Sequence, residues 1–242
     1  MRPKGPSQLR GTDVSNLGPM CDRYVLPDQG AAEREFLPAL AWWKFAARFN
    51  VAPQQYVPAV RVHDGQTEGM MIRWGLIPSW AEGQPTDDPT TSADIDGLER
   101  SIIYRMPWLS GQRCILPVAG FYAWQRTDAN YRQPYFVRLI NRTVFGVAAV
   151  WDRSVGEDDD VIESCSVIRV PANALLAGMA SAQARMPAIL RRRDYQTWLR
   201  GTPVEAKNTL HPYNPAWMEA HAVSPRINST EADDAALIRP VH

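Results

Sequence analysis

Arg113-Cys114-Ile115-Leu116-Pro117-Val118-Ala119-Gly120-Phe121-Tyr122-Ala123-Trp124 decides how this chain folds. The segment carries one charge, at Arg113, and is otherwise apolar and aromatic, so it reads as a strand with a break at Gly120. Downstream, Tyr135–Ile140, Val144–Trp151 and Val161–Val170 read as three further strands, turning at Asn141-Arg142 and within the acidic Glu157–Asp160 segment. Upstream, Val57–Val62 and Met70–Ile77 are strands joined by a turn at Asp64-Gly65. Residues 81–97 are polar and read as a long surface loop, and Ile102–Trp108 as a short helix or turn.

Helical pattern flanks these strands. Ala31–Phe49 bears Trp42, Trp43 and Phe45 and is interrupted by Pro38; both tryptophans are expected to pack it onto the sheet. Ala172–Gly178, Arg193–Leu199 and Val204–Leu210 are helical, and Ala222–Ile227 is a last extended piece. The class is therefore α+β, a mostly antiparallel sheet with flanking helices in a single domain over residues 20–242. Residues 1–19 hold Pro3, Gly5, Pro6, Gly11, Gly18 and Pro19 without apolar periodicity, and read as a disordered extension or as upstream sequence from a mis-assigned start.

With 242 residues, 45% apolar and 21% charged, the chain can bury a sizeable core. Lys+Arg and Asp+Glu are 26 each, so there is no global basic field, and nucleic-acid binding would need a local patch. Cysteines 21, 114 and 165 lack metal-ligand spacing, and their odd number without a secretory signal suggests reduced thiols in a cytosol. No apolar run is long enough to span a bilayer. A cytoplasmic protein without a membrane partner is expected.

Phosphate loops, dinucleotide fingerprints and His-Glu metal motifs are missing, so neither a small-molecule cofactor nor a metal is expected. Histidines 63, 211, 221 and 242 are scattered and read as surface or core residues. Cys114 and Cys165 lie in apolar strand patterns, where cysteine acts as a small buried hydrophobe. Cys21 differs, for it follows Met20 and precedes Asp22-Arg23-Tyr24. Its bland reading is a strand-edge cysteine. Were it the first residue, its thiol and free α-amine could condense with an aldehyde to a thiazolidine; an acylated nitrogen cannot close that ring.

Six blocks occur in order: Cys21-Asp22-Arg23-Tyr24, Phe49–Gln55, Ile72-Arg73-Trp74-Gly75-Leu76-Ile77-Pro78-Ser79-Trp80, Arg113–Trp124, Arg185-Met186-Pro187-Ala188-Ile189-Leu190 and Val223-Ser224-Pro225-Arg226-Ile227-Asn228. Together they resemble the SOS response-associated peptidase (SRAP) family of abasic-site processing proteins, from about residue 20 to the C-terminus. The resemblance implies one α+β domain around a β-barrel-like sheet, and a partner that is single-stranded DNA carrying an abasic site. It also implies an N-terminal cysteine, here Cys21, that traps the ring-opened sugar aldehyde as a thiazolidine.

The family pattern sets an Asn, a Glu and a His beside that cysteine. Those positions fall on Ser92, Ala123 and Gln183. Ala123 has no proton to exchange, and Gln183 can orient but not shuttle one. Asp94 stands where the family has an Arg, an anion in place of a phosphate-friendly cation. Arg23, Arg73, Trp74 and Arg185 match motif positions and could contact phosphates or stack on a base, and Asn50 matches at an expected turn. Among Trp74, Trp80 and Trp124, core packing suits two, leaving Trp74 for DNA. Three readings follow: a crosslinker acting through Cys21, a SRAP-like DNA- or protein-binding domain without chemistry, and a cysteine hydrolase acting on its own N-terminal segment. The last lacks the base that it needs.

Overall fold

A computed structural model describes residues 22–127, 132–179 and 184–241. Among these the strands are β1 (Tyr24–Leu26), β2 (Leu40–Ala41), β3 (Arg48–Val51), β4 (Tyr56–His63), β5 (Gln66–Trp74), β6 (Ser92–Asp94) and β7 (Arg113–Val118). They continue as β8 (Gly120–Arg126), β9 (Arg132–Leu139), β10 (Phe145–Val155), β11 (Val161–Pro171), β12 (Arg185–Pro187), β13 (Ile189–Leu190) and β14 (Met218–Ala222). The helix α1 (Gln29–Phe36) follows β1 and is capped by Asp28, whose carboxylate accepts from Ala31 N at 2.9 Å.

A hairpin begins the barrel. β4 and β5 turn at Asp64 and Gly65, both with positive φ, which suits the right-handed twist of paired strands. β4 also pairs with β7, β7 with β10, and β10 with β11, all antiparallel. A parallel contact of β11 with β5, Ser164 opposite Arg73 and Cys165 opposite Trp74, closes the ring. Val60, Ile72, Ile115, Ala148, Val150, Cys114 and Cys165 are buried there. Arg61 crosses β4 and β5 to Glu68 and reaches Glu163, each at 2.6 Å, with its guanidinium 4.4 Å above the Trp151 ring.

A second sheet runs β14-β9-β8-β1-β3. The break at Gly120 is where the chain leaves the barrel and enters this sheet. A Cβ at Gly120 would lie 2.3 Å from Phe136 Cζ and 2.9 Å from the Val137 carbonyl, so the close passage of β9 requires glycine. The C-terminal stretch folds over β3 in short 3₁₀ turns, Pro225–Asn228 and Ala235–Ile238. Asn50 holds it, its Nδ2 donating to the carbonyls of Ser229 and Ala232 at 2.8 Å. Asp233 adds bonds from Asn50 N at 3.0 Å and Arg48 Nε at 2.9 Å.

The α+β class and the mostly antiparallel, barrel-forming sheet agree with the sequence reading. Four local expectations are corrected. Helix ends at Phe36 rather than running to Phe49, because Leu37 turns left-handed ahead of Pro38. Trp43 is buried against Gly69 in an extended stretch, whereas Trp42 is 70% exposed and packs onto nothing extensive. Within the supposed loop 81–97, Ser92–Asp94 is a strand parallel to β11. The last extended piece lies earlier, at Met218–Ala222, and Ile227 sits in a 3₁₀ turn. No helix among the described residues is long and apolar enough to cross a membrane.

Candidate functional site

The segment Asp22-Arg23 enters the structure as the lead of β1. Tyr24 pairs with Phe121 and Val25 with Gly120, and Tyr122 N donates to the Arg23 carbonyl at 3.0 Å. On its other side β1 pairs with β3, Tyr24 opposite Val51. Beneath it lies Trp74, whose ring meets Tyr24 edge-on at 5.4 Å and whose Nε1 donates to the Thr91 carbonyl at 2.8 Å. Trp74 thus ties the first strand to the chain entering β6.

Charge collects around Asp22. Its carboxyl lies near the Thr91 side chain and the guanidinium groups of Arg169 and Arg23. Burial nevertheless prevails and pushes it up from 3.8 to about 6, with Arg169, Arg23 and Thr91 acting against the rise. Burial pulls the Arg23 guanidinium down, and Asp22 opposes that. Arg169 comes from β11, where it is a lone charge between Ile168 and Val170. Its Nε donates to Asp94 Oδ1 at 2.9 Å across the β6–β11 pair. Asp94 therefore stands neutralised, and the repulsive anion expected from its sequence position is matched by a cation one strand away.

Ser92 opposite Val167 is half-buried, and its carbonyl accepts from the Tyr104 hydroxyl at 3.3 Å. Arg185 begins β12, and its Nη2 donates to Asp96 Oδ2 at 2.9 Å. Among the described residues, the Nη1 atoms of both Arg23 and Arg185 are buried without a hydrogen-bond partner. Buried guanidinium nitrogens left open in this way are suited to receive an anionic oxygen. Ala123 on β8 is fully buried and brings no titratable side chain. Cys21 and Gln183 lie outside the described residues.

Other site candidates are used internally. Asn50 lies on β3 rather than in a turn and is fully buried as the clamp on the C-terminal stretch. Trp74 is 1% exposed, so core packing accounts for its ring, while Trp80, 53% exposed, carries the free aromatic face. Arg73 donates to the Gly75 carbonyl. Cys114 and Cys165 are buried side by side, and their mutual contact, with burial, pushes the Cys165 thiol well up. His221 bonds the Ile238 carbonyl at 2.8 Å, and His63 is exposed beside Asp64. Among the described residues no group of three His, Cys, Asp or Glu side chains could hold a metal ion.

Nucleic-acid binding needs a local basic patch, and the arginine cluster that lies away from Asp22 is partly neutralised, Arg142 pairing with Glu35 at 3.4 Å and Arg138 with Glu219. Arg34, Arg138, Arg142 and Arg192 line a hollow of about 570 Å³, which adjoins a second beside Arg193 and Trp217. It lies at the Leu139 end of β9, four residues past Tyr135, the partner of Ala123, or about 14 Å along the strand. Sequence reasoning missed Thr91 and Arg169; a lone arginine inside the Val167–Val170 apolar run was the available signal for the latter.

Comparison with solved structures supports the fold. A protein of Bordetella bronchiseptica superposes with a TM-score of 0.73 at 22% identity, covering 84% of this chain and all (100%) of that one. One of Bacteroides thetaiotaomicron gives 0.71 at 23% identity, covering 80% and 85%. The abasic site processing protein YoqW of Bacillus subtilis is 29% identical over 235 residues, 90% of this chain and 99% of that protein. The mouse abasic site processing protein HMCES is 28% identical over 242 aligned residues, 81% of this chain and 66% of its own. The profile of SOS response associated peptidases matches residues 20–230, and this chain belongs to that SRAP family.

Proposed function

We propose that this chain is an abasic-site processing protein that binds single-stranded DNA. In the form that begins at Cys21, it captures the aldehyde of the ring-opened abasic sugar as a thiazolidine. The relatives named for abasic site processing support the class. The observation that carries the reading is the pair of buried Nη1 atoms on Arg23 and Arg185 that have no partner among the described residues, the first of them on a side chain two residues from Cys21. A phosphate brought to these atoms would satisfy them and hold the adjoining sugar near the N-terminus. An α-amine with an ordinary value near 8 is partly neutral at pH 7 and can attack the aldehyde, after which the thiol closes the ring.

A second reading, a SRAP domain that binds DNA or protein without chemistry, rests on Ala123, whose buried methyl group cannot transfer a proton. One experiment separates the two. A chain starting at Cys21 is incubated with a single-stranded oligonucleotide holding one abasic site and run on a denaturing gel. A stable adduct, lost in Cys21→Ala, is expected. Reversible binding in a native gel with no adduct in the denaturing one would establish the second reading in its DNA-binding form, and failure to bind would overturn both DNA-binding readings.

A further inference from the structure

A long single strand extends past whatever contacts hold its lesion. We infer that the two arginine-lined hollows at the Leu139 end of β9 are a second contact for single-stranded DNA, taking phosphates on Arg34, Arg142 and Arg192 and a base on Trp217. The inference rests on the single-strand-binding reading above and extends it to a separate surface, without using any atom of Cys21.

Charge comes first. Among the described residues, six arginines (34, 138, 142, 191, 192 and 193) line the two hollows, against one carboxylate, Glu35. Glu35 Oε1 lies 3.4 Å from Arg142 and accepts from the Tyr195 hydroxyl at 3.1 Å, so it orients that guanidinium while offsetting part of its charge. Arg138 is taken by Glu219, and Arg193 lies 3.7 Å from Asp194. Arg34, Arg191 and Arg192 are exposed and form no ion pair among the described residues. Guanidinium groups gathered around one depression without counterions repel one another, and an anion placed between them relieves that repulsion.

Shape selects a chain rather than a lone ion. The hollows measure about 570 and 430 Å³ and share Arg142 and Arg192 as a common wall. Each lies within the roughly 300–1,000 Å³ that houses one small-molecule-sized group. The pair therefore suits successive nucleotides, with the phosphate between them at the shared arginines. Beyond that wall, Trp217, 51% exposed, and the half-buried Tyr213 offer aromatic faces. An exposed indole beside guanidinium groups stacks a base while the backbone is held electrostatically.

The frame of the site is fixed. Ile140 N donates to the Trp217 carbonyl at 3.0 Å, and Gly146 N to the Tyr195 hydroxyl at 3.0 Å. Phe36 stacks on Tyr195 at 5.2 Å, which ties the end of α1 to the turn that follows β13. The first hollow is about 14 Å along β9 from the partner of Ala123, a span of about four phosphates at 3.4 Å each.

The test is equilibrium binding of an undamaged single strand of about 20 nucleotides to the full chain over a salt series. Arg34→Ala with Arg192→Ala is expected to weaken binding about tenfold and to reduce the magnitude of the log–log salt slope by about 1.4, the share of two phosphates. Arg34→Lys with Arg192→Lys should keep the slope. Trp217→Ala should weaken binding about tenfold with the slope unchanged, since stacking releases no counterions. Urea midpoints should not move, because none of the three side chains is buried. An alanine pair that binds as tightly and with the original slope overturns the inference and leaves DNA contact at Arg23 and Arg185 standing. An equal loss of slope in Arg105→Ala with Arg153→Ala, two exposed arginines outside the hollows, would mean a diffuse charge effect and overturn it too. So would an alanine pair that keeps DNA but loses a polyglutamate peptide held by the unmodified chain, the mark of an acidic protein partner. If the unmodified chain binds no single strand, the DNA-binding reading falls first and this one with it.

Discussion

The Asp22 carboxyl can be interrogated without DNA, through stability. Its value rises from 3.8 to about 6 on folding, so the native state holds its proton more tightly than the unfolded chain does. A raised carboxyl favours the fold below pH 3.8, and that contribution is lost as pH climbs through 6. The whole span corresponds to about 3 kcal/mol, and close to half of it falls between pH 5 and 8. Solvent reaches the half-buried carboxyl and trims the effect, leaving about 1 kcal/mol between those two pH values. Urea unfolding of the unmodified chain and of Asp22→Asn at pH 5 and pH 8 measures it. The difference between the proteins at each pH contains any fixed cost of the amide, such as a lonelier Arg23. The change in that difference isolates the titration. Asp22→Asn should gain about 1 kcal/mol on the unmodified chain from pH 5 to 8. A flat difference would refute the claim that burial prevails, and a loss would mean that Arg169 and Arg23 hold the carboxyl down instead.

Further outcomes follow from other contacts. Asn50→Ala should lower stability by about 2 kcal/mol, since it removes the buried amide that holds two part-buried carbonyls of the C-terminal stretch. It should leave the salt dependence of DNA binding unchanged; a flatter dependence would give Asn50 a phosphate instead. Gly120→Ala should cost about 3 kcal/mol or more by calorimetry, given the 2.3 Å approach of Phe136. Arg61→Ala strands Glu68 and Glu163 and should cost about 3 kcal/mol at neutral pH, with much of the loss recovered at pH 4. Arg185→Ala should weaken single-strand binding and reduce the magnitude of its log–log salt slope by about 0.7, the share of one phosphate.

The strands of the barrel were legible because each spans enough apolar residues to show its period, and Gly120 marked the change of sheet. Shorter pieces were not. β6 has three residues and is a strand only because β11 lies alongside, a partner more than seventy positions away. Trp42 and Trp43 look equivalent as neighbours, yet only one finds the space above Gly69. At the site, the motifs located Arg23 and Arg185 but could not say which of their nitrogens stay open. The Asp94 charge read as a liability because its counterion comes from a different strand. Trp74 read as a ligand face because sequence does not distinguish a ring under a strand from one above it.

The Asn50 clamp has a bearing on the order in which the molecule is made. Asn50 and Ala232 are separated by 182 positions, and β1 finds Phe121 only after most of a hundred residues have been synthesised. Closing such distant pairs is slow, and it must wait for the later partner to emerge. Throughout that interval β1 has no finished sheet to join, and its backbone stays open to whatever meets the nascent chain. Any trimming that exposes Cys21 thus has its widest window on the nascent chain, before the far end of the protein comes down over β3.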